Sequence, residues 1–329
     1  MKIAFHSYQL GGRGTEIALY KYAKYNKEIL GNESIIVSTN SRPSPTLKRF
    51  ENEFKVVLYP DVWISDGKND SLRNTLENIC DKEKIDIFYA LKGGENDGIL
   101  PSNVNKTLSH AIFIMDQPHG DIYCGVSQFL AKKFNKDLYL DHIVENESHT
   151  NENLREILNI PKDAIVFGRH GGSDTFDLDF VHKNIIEILN IRSDIYFIFL
   201  GTNPFFNHKN IKYINWTSSI ENKTKFINTC DAMLHARYIG ETFGLSVAEF
   251  SIKNKPVLTW KPTIIPDHYD IAHIDILKEK AIYYTSGEDL FNILKNISKK
   301  DFVGKNWDAY TEDFCAKKIM LKFKSMLDI

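Results

Sequence analysis

Two glutamates, Glu241 and Glu249, are the residues best placed to do chemistry in this chain. They lie in the segment 240–249, which reads GETFGLSVAE and is flanked by apolar runs at 232–236 and 256–260. The runs predict two strands, with Glu241 in the loop after the first and Glu249 inside the following helix, which Gly244 and Leu245 open. Free N–H groups and a partial positive charge at a helix N-terminus suit a phosphate. Glu241 would then face the group attached to that phosphate, and Glu249 could accept hydrogen bonds from a diol such as a ribose.

The spacing of the two glutamates alone is weak evidence, because the chain has 43 acidic residues and a solvated helix would give the same pattern. The setting favours a binding site, since a strand, a glycine-containing loop and a helix are followed by the turn Asn254-Lys255-Pro256. His235 and Arg237 end the strand before Glu241. We predict that they contact the same ligand, with packing in the core as the alternative.

Two further loops follow predicted strands. Gly11–Glu16 is rich in glycine but does not read G-x-G-x-x-G, so a dinucleotide-binding fingerprint is not supported. A tight strand-to-helix connection explains this loop as well as a ligand contact does. His119 stands between Pro118 and Gly120 at the end of a later strand. A single histidine is more often structural than catalytic, but this position favours a place at a cleft.

Asp177 and Asp179 form a D-x-D pair, the pattern with which metal-dependent transferases hold a divalent ion on a diphosphate. They precede the predicted helix 181–189, where aspartates are ordinary N-terminal caps. We therefore predict capping residues and no metal site.

The composition excludes several classes of protein. The chain has 329 residues, 43% of them hydrophobic, and its 41 basic and 43 acidic residues give a net charge of −2, so no basic surplus points to nucleic acid. Polar residues 6–9 predict no secretory signal, and no apolar stretch approaches a membrane-spanning length. The cysteines are too far apart for a zinc site or a redox pair and predict a reduced, cytoplasmic protein. They are Cys80, Cys124, Cys230 and Cys315.

Strands and helices alternate along the whole chain, which predicts an α/β fold with parallel sheets. The predicted strands are 2–5, 34–37, 54–58, 85–90, 111–115, 123–127, 164–168, 195–200, 232–236, 256–260 and 281–284. The predicted helices are 17–30, 72–82, 129–134, 154–158, 181–189, 223–228, 245–252, 290–296 and a basic amphipathic helix from about residue 313.

A polar stretch at 145–153 separates two runs of strands, so we predict two Rossmann-like, doubly wound domains with a cleft between them. The N-terminal domain would span 1–145 and the C-terminal domain 146–312. The last helix, 313–329, would cross back to the N-terminal domain. Its lysines, in the segment 317–324, leave contact with an anionic membrane surface as the alternative.

The segment 241–249, followed by Asn254-Lys255-Pro256-Val257, resembles the donor-site motif of retaining glycosyltransferases of family four, also called glycosyl transferases group 1. These enzymes have two Rossmann-like domains, the GT-B fold. The resemblance extends over most of the chain, because further short motifs occur in the family's order. They are Gly11-Gly12, His119-Gly120, Val126-Ser127 and Gly168-Arg169.

The resemblance implies a role for each matching residue. Glu249 would hold the ribose of a nucleotide sugar, and Glu241 and His119 would act on the donor sugar as catalytic residues. Arg169 would neutralise the leaving diphosphate. The donor site would comprise Gly12, Arg169, Gly171, Gly172, His235, Glu241, Thr242, Phe243, Gly244, Leu245 and Glu249, with further contacts to diphosphate or acceptor from Arg13, Lys183 and Arg237.

One departure from the family affects the diphosphate site. The family has a lysine about five residues after the arginine, whereas this chain has Asp174 at that position. His170, Lys183 or the N–H groups of a helix could take its place, and Gly171-Gly172 would still allow close approach of a phosphate.

The sequence therefore predicts a retaining, metal-independent glycosyltransferase. It would move a sugar from a nucleotide-diphosphate sugar to a hydroxyl of a glycan or a lipid-linked glycan, without a cofactor or nucleic acid. It would act in the cytoplasm, with peripheral membrane contact as the alternative role of its last helix. The alternatives are a nucleotide-sugar epimerase of the same fold and a non-catalytic protein that binds a nucleotide or sugar. A nicotinamide-dependent dehydrogenase ranks below both, because the dinucleotide fingerprint is absent.

Overall fold

The computed structural model describes residues 1–40, 46–60 and 70–328. The chain divides into two compact units. The first consists of Met1–Ile143 with Phe314–Ile329, and the second of Val144–Asp313. Each unit contains a six-stranded parallel sheet, which confirms the predicted pair of Rossmann-like α/β folds.

The first unit has its strands in the order β3-β2-β1-β4-β5-β6, all parallel, once the elements are numbered along the chain. The strands are β1 (Lys2–His6), β2 (Glu33–Thr39), β3 (Lys55–Tyr59), β4 (Ile87–Lys92), β5 (Lys106–Ala111) and β6 (Ile122–Gly125). The helices are α1 (Gly14–Glu28), α2 (Leu47–Glu51), α3 (Asp70–Glu83) and α4 (Gln128–Lys133).

The second unit repeats this topology. Its strands are β7 (Ile165–His170), β8 (Ile195–Leu200), β9 (Ile211–Ile214), β10 (Ala232–His235), β11 (Gly240–Glu241), β12 (Val257–Trp260), β13 (Asp270–Ile271) and β14 (Ile282–Tyr284). Its helices are α5 (Asp179–Leu189), α6 (Ile220–Thr229), α7 (Leu245–Ser251), α8 (Ala272–Leu277) and α9 (Gly287–Asn296). The main sheet runs β14-β12-β10-β7-β8-β9, and β11 pairs with β13 in a separate parallel ladder.

Both sheets reverse their strand order beside the first strand of the unit, between β1 and β4 and between β7 and β10. Open α/β sheets bind ligands outside the carboxyl ends of their strands at such a switch point. The strands that flank it are buried, and β8 carries the nearly continuous apolar run IYFIFL that a sheet covered on both faces requires.

The last helix, α10 (Ala316–Leu327), belongs to the first unit and packs against α1. The Phe323 ring lies 6.2 Å from that of Tyr22 and 5.8 Å from that of Tyr89, measured between ring centres. None of the helices in the described part of the chain combines the length and the apolar character needed to cross a membrane.

Two predicted elements are wrong. The strand expected at 111–115 lies at Lys106–Ala111. Its buried polar side chains, Thr107, Ser109 and His110, hide it from a hydropathy pattern, because their hydrogen-bond partners lie outside the strand. The helix expected at 154–158 is a single turn that ends at Asn159, whose φ is +52°, before Pro161. The sequence patterns also miss β9, β11, β13, α2 and α8, which are all six residues or shorter.

Candidate functional site

The carboxyl ends of β7 and β10 lie side by side at the switch point of the second unit, because the two strands are parallel neighbours. β7 ends with Arg169 and His170, and β10 ends with His235. The chain then passes through Glu241 in β11 and enters α7, which carries Glu249. The topology thus gathers the predicted donor-site residues of this unit at one edge of the sheet.

Gly244 is the residue immediately before α7, and its φ of +89° lies in the left-handed region that favours glycine. A β-carbon there would lie 3.3 Å from Cβ of His273 and 3.4 Å from Cβ of Glu241. The glycine therefore lets the start of the helix approach both side chains closely.

Glu249 is held by two basic side chains. One of its carboxylate oxygens accepts a hydrogen bond from Nζ of Lys223 on α6, and the other lies 3.1 Å from Nε2 of His170. Burial by itself would raise the pKa of Glu249, but the charge of Lys223 and the contact with His170 outweigh it and bring the pKa well below its ordinary value. Glu249 is therefore ionised at neutral pH and can only accept hydrogen bonds.

Glu241 has a matching environment. Its Oε2 accepts a hydrogen bond of 2.6 Å from Arg237, and its Oε1 lies 3.3 Å from Nε2 of His235. Burial opposes ionisation, but the charge of Arg237 and the contact with His235 lower the pKa of Glu241 to about 2. Arg237, predicted as a contact to diphosphate or acceptor, thus forms an ion pair with Glu241 in the structure.

Arg169 is only 4% exposed and donates hydrogen bonds within its own unit. Nη1 donates to Oγ1 of Thr202 at 2.6 Å, and Nη2 donates to Oγ1 of Thr175 at 2.5 Å and to the carbonyl of Gly172 at 2.8 Å. Burial lowers the pKa of Arg169 to about 10, so the guanidinium stays charged at neutral pH. It is a fixed positive charge that also shapes the 172–175 loop.

The glycine pair after β7 is arranged around this arginine. Gly171 has φ +153°, and a β-carbon on it would lie 2.9 Å from Nη2 of Arg169. Gly172 supplies the carbonyl that Arg169 binds. Both glycines thus serve the placement of Arg169.

The remaining predicted site residues of the second unit lie around the start of α7 and on α5. Thr242 and Phe243 are buried in the turn between β11 and α7, and Leu245 is the first residue of α7. Lys183 is exposed on α5, and within the described part of the chain no contact joins it to Glu241 or Glu249.

The predicted capping role of the D-x-D pair is wrong for Asp177. The residue that caps α5 is Leu178, and Asp179 is already in the first helical turn, where its charge suits the helix dipole. Oδ1 of Asp177 accepts a hydrogen bond of 2.7 Å from the amide of Tyr238. The described ranges contain no group of three or more His, Cys, Asp or Glu side chains placed to hold a metal ion.

In the first unit, His119 is half-buried after β5 and has both ring nitrogens engaged. Nδ1 lies 2.7 Å from the carbonyl of Gln117, and Nε2 lies 2.9 Å from Oγ of Ser109. Burial lowers the pKa of His119 below its ordinary value, partly offset by the Gln117 carbonyl. Because a carbonyl can only accept, the proton is on Nδ1 and Ser109 donates to Nε2.

The glycine-rich loop lies at the carboxyl end of β1. Gly12 is buried with φ +87°, and Arg13 is exposed with its amide donating to Oε2 of Glu16 at 2.7 Å. Glu16 is itself buried, which raises its pKa. The loop and His119 follow strands of the same sheet.

No protein-family model matches the chain, and no curated protein matches its sequence. Solved structures are similar over its whole length. HepE of Anabaena, in complex with UDP and glucose, has a TM-score of 0.77 and 14% identity, covering 100% of this chain and 99% of HepE. The chain has the GT-B fold.

Two other solved structures support the GT-B assignment. A glycosyltransferase from Rickettsia africae has a TM-score of 0.71 and 14% identity, covering 99% of this chain and 98% of that one. A Listeria monocytogenes protein assigned as a UDP-N-acetylglucosamine 2-epimerase has a TM-score of 0.62 and 14% identity, covering 99% of this chain and 96% of that one. At these identities the similarity establishes the fold.

On this GT-B fold, sequence reasoning missed the partners of the candidate residues. Lys223 binds Glu249 from 26 residues away, and Ser109 reaches His119 from the strand that hydropathy misplaced. A lysine at the start of a helix and a serine in a strand carry no local signal of these roles. His170, expected as a substitute for the missing lysine at the diphosphate, contacts Glu249.

Proposed function

We propose that the chain is a nucleotide-sugar-dependent glycosyltransferase, retaining and independent of metal. One observation carries the proposal: two ionised carboxylates with side chains 14% exposed, Glu241 and Glu249, lie at the switch point of a GT-B fold, each with its own cation and histidine. HepE, which has this fold, was solved with UDP and glucose.

The two carboxylates suit a ligand rich in hydroxyls. An ionised carboxylate accepts hydrogen bonds through two oxygens with about four lone pairs, and each glutamate here uses only part of that capacity on its protein partners. We assign the ribose hydroxyls to Glu249 and the ring hydroxyls of the donor sugar to Glu241. His235, Thr242, Phe243, Gly244 and Leu245 complete the donor site in this proposal.

The diphosphate is assigned to the positive charge of Arg169 and to backbone amides near Gly171, Gly172 and the start of α7. Breaking a sugar–phosphate bond develops negative charge on the leaving diphosphate, which a fixed guanidinium and oriented N–H groups stabilise. No divalent ion is required in this scheme. Lys183 and Arg13 are proposed to contact the diphosphate or the acceptor, and Gly12 of the first unit is proposed to contact the donor.

The reaction transfers the sugar with retention. As the bond between the anomeric carbon and the phosphate oxygen breaks, the acceptor hydroxyl attacks that carbon from the face of the leaving group. The hydroxyl proton passes to the departing phosphate oxygen, so no enzyme nucleophile is needed. His119 is proposed to contact the donor sugar. The acceptor is a hydroxyl of a glycan or lipid-linked glycan, and we propose a cytoplasmic enzyme.

A nucleotide-sugar epimerase is the second candidate, because the Listeria monocytogenes protein assigned to that activity shares the fold over nearly the whole chain. The two reactions differ in their products. Epimerisation changes the configuration at a carbon of the sugar, whereas transfer to an acceptor or to water leaves a free nucleoside diphosphate and a sugar of unchanged configuration at its other carbons.

The test is to incubate the protein in EDTA with a panel of nucleotide sugars and acceptors and to measure the nucleoside diphosphate released. We expect release from one class of donor, with kcat at least tenfold lower in Glu241→Ala and His119→Ala. An exposed glutamate on α5, Glu187, provides the control variant Glu187→Ala, which should match the wild type. Unchanged activity in both site variants would reject this site.

A further inference from the structure

A chain of buried polar groups continues behind Glu241. His235 ends β10, Thr259 lies beside it on β12, and His273 is on α8. Nδ1 of His235 lies 2.8 Å from Oγ1 of Thr259, which lies 3.1 Å from Nε2 of His273. The three side chains are 4%, 0% and 0% exposed, so water does not compete for these hydrogen bonds.

Glu241, at one end of this hydrogen-bonded series, determines which atoms donate and which accept. Glu241 is a carboxylate and can only accept, so Nε2 of His235 carries a proton and donates to it. In a neutral ring, Nδ1 of His235 then carries a lone pair and accepts a hydrogen bond from the hydroxyl of Thr259. The oxygen of Thr259 is left to accept from Nε2–H of His273.

His273, at the other end of the series, independently indicates the same arrangement of donors and acceptors. Nδ1 of His273 is buried and has no hydrogen-bond partner among the residues that the structure describes. A proton on that atom would be an orphaned donor, which is rarer and more costly than an orphaned acceptor, so the proton of His273 belongs on Nε2. The hydroxyl of Tyr269, which also interacts with Thr259, donates to the carbonyl of Trp260 at 2.7 Å and therefore gives no proton to these side chains.

The geometry points to Thr259 and His273 as positioning residues that hold the His235 ring in its Nε2-protonated form and thereby orient the carboxylate of Glu241. Arg237 holds the other oxygen of this carboxylate. Its remaining lone pairs then point in a set direction before a ligand arrives, which avoids a cost of reorganisation on binding. The consequence for catalysis rests on the proposed function, but the arrangement of protons does not.

The first test needs no substrate. Long-range ¹H–¹⁵N correlation spectra of the ¹⁵N-labelled protein at pH 7.5 distinguish the two neutral forms of each histidine, with His235→Gln and His273→Gln used for assignment. We expect His235 and His273 to be protonated at Nε2. His119 is the internal control and should be protonated at Nδ1, because that atom faces a carbonyl. A His235 ring protonated at Nδ1, or at both nitrogens, overturns the inference.

A matched pair of variants tests the effect on the reaction. Thr259→Val keeps the shape of the side chain and removes the hydroxyl, whereas Thr259→Ser keeps the hydroxyl and removes a methyl group. Nδ1 of His235 loses its hydrogen-bond donor in Thr259→Val, so we expect its ¹⁵N signal to shift and kcat/KM to fall about tenfold. Thr259→Ser should keep the His235 signal and most of kcat/KM.

The possible outcomes separate the two proposals. A wild-type His235 signal and wild-type kcat/KM in Thr259→Val would reject the role of Thr259, even if the enzyme transfers sugar as proposed. If no nucleotide sugar is turned over by the wild type, the proposed function fails, while the spectra still decide how the protons are arranged.

Discussion

Glu241 and Glu249 are ionised in the same way, since each half-buried carboxylate has one cation and one histidine beside it. Arg237 and His235 serve Glu241, and Lys223 and His170 serve Glu249. The sequence could predict the two glutamates, because the glycine turn and helix around them are local features. It could not predict Lys223, because that contact depends on how α6 packs beside β7 and α7.

Breaking the pair between Lys223 and Glu249 should destabilise the second unit. Lys223→Met leaves the half-buried carboxylate without its cation, and we expect a loss of about 2 kcal/mol in the free energy of unfolding, below the range for a fully buried pair. The double variant Lys223→Met with Glu249→Gln removes both charges and should recover most of that loss. Urea denaturation of the four proteins of this cycle measures the coupling. A loss in the double variant equal to the sum of the losses in Lys223→Met and Glu249→Gln would show that the two side chains are not coupled.

At the scale of elements, the pattern of apolar runs was sufficient to predict the buried strands and the longer helices. It failed for β5, whose buried residues include Thr107, Ser109 and His110. These side chains form hydrogen bonds with Asp121, His119 and Tyr89, which lie outside β5 and are invisible in a local window of sequence. The elements shorter than a typical pattern, such as β11 and β13, were missed because a strand of two residues has no period.

The start of α7 provides an element-scale prediction. Gly244→Ala introduces a β-carbon at φ +89° and against His273 and Glu241, and we expect a loss of about 1–2 kcal/mol in stability together with weaker nucleotide binding. Gly304→Ala is the matched control, since Gly304 has φ +75° but nothing within 4 Å of the added carbon. It should lose stability and retain binding. Calorimetric titration and urea denaturation of both variants provide the comparison, and equal binding in both would contradict the close packing described at α7.

At the scale of the whole molecule, both units bury neutral histidines. Burial lowers the pKa of His6 and His110 to about 3 in the first unit. It also lowers the pKa of His142 in the first unit and of His273 in the second well below 6.5. At pH values between the native pKa of these histidines and the ordinary value of 6.5, the unfolded chain binds protons that the native state does not. The free energy of unfolding therefore rises with pH in this range and falls as the pH drops below 6.5.

This sign gives a prediction for acid stability. Each such histidine contributes a slope of ~1.4 kcal/mol per pH unit, so the urea midpoint should be constant from pH 8 to 7 and fall steeply between pH 6.5 and 5. Carboxylates with lowered pKa, such as Glu241, act only below about pH 4.5 and do not contribute in this window. The control His149→Gln alters an exposed histidine and should keep the same slope. An unchanged midpoint between pH 7.5 and 5.5 would contradict the burial of these histidines as neutral groups.

The proposed function requires that the second unit binds a nucleoside diphosphate through Glu249 without a metal. Isothermal titration of uridine, guanosine, adenosine, cytidine and thymidine diphosphates into the protein in EDTA measures this binding. We predict that one of them binds the wild type, and that Glu249→Ala raises its dissociation constant at least tenfold, because a charge-assisted hydrogen bond to the ribose is lost. Binding of none of them, or equal affinity in wild type and variant, would contradict the account.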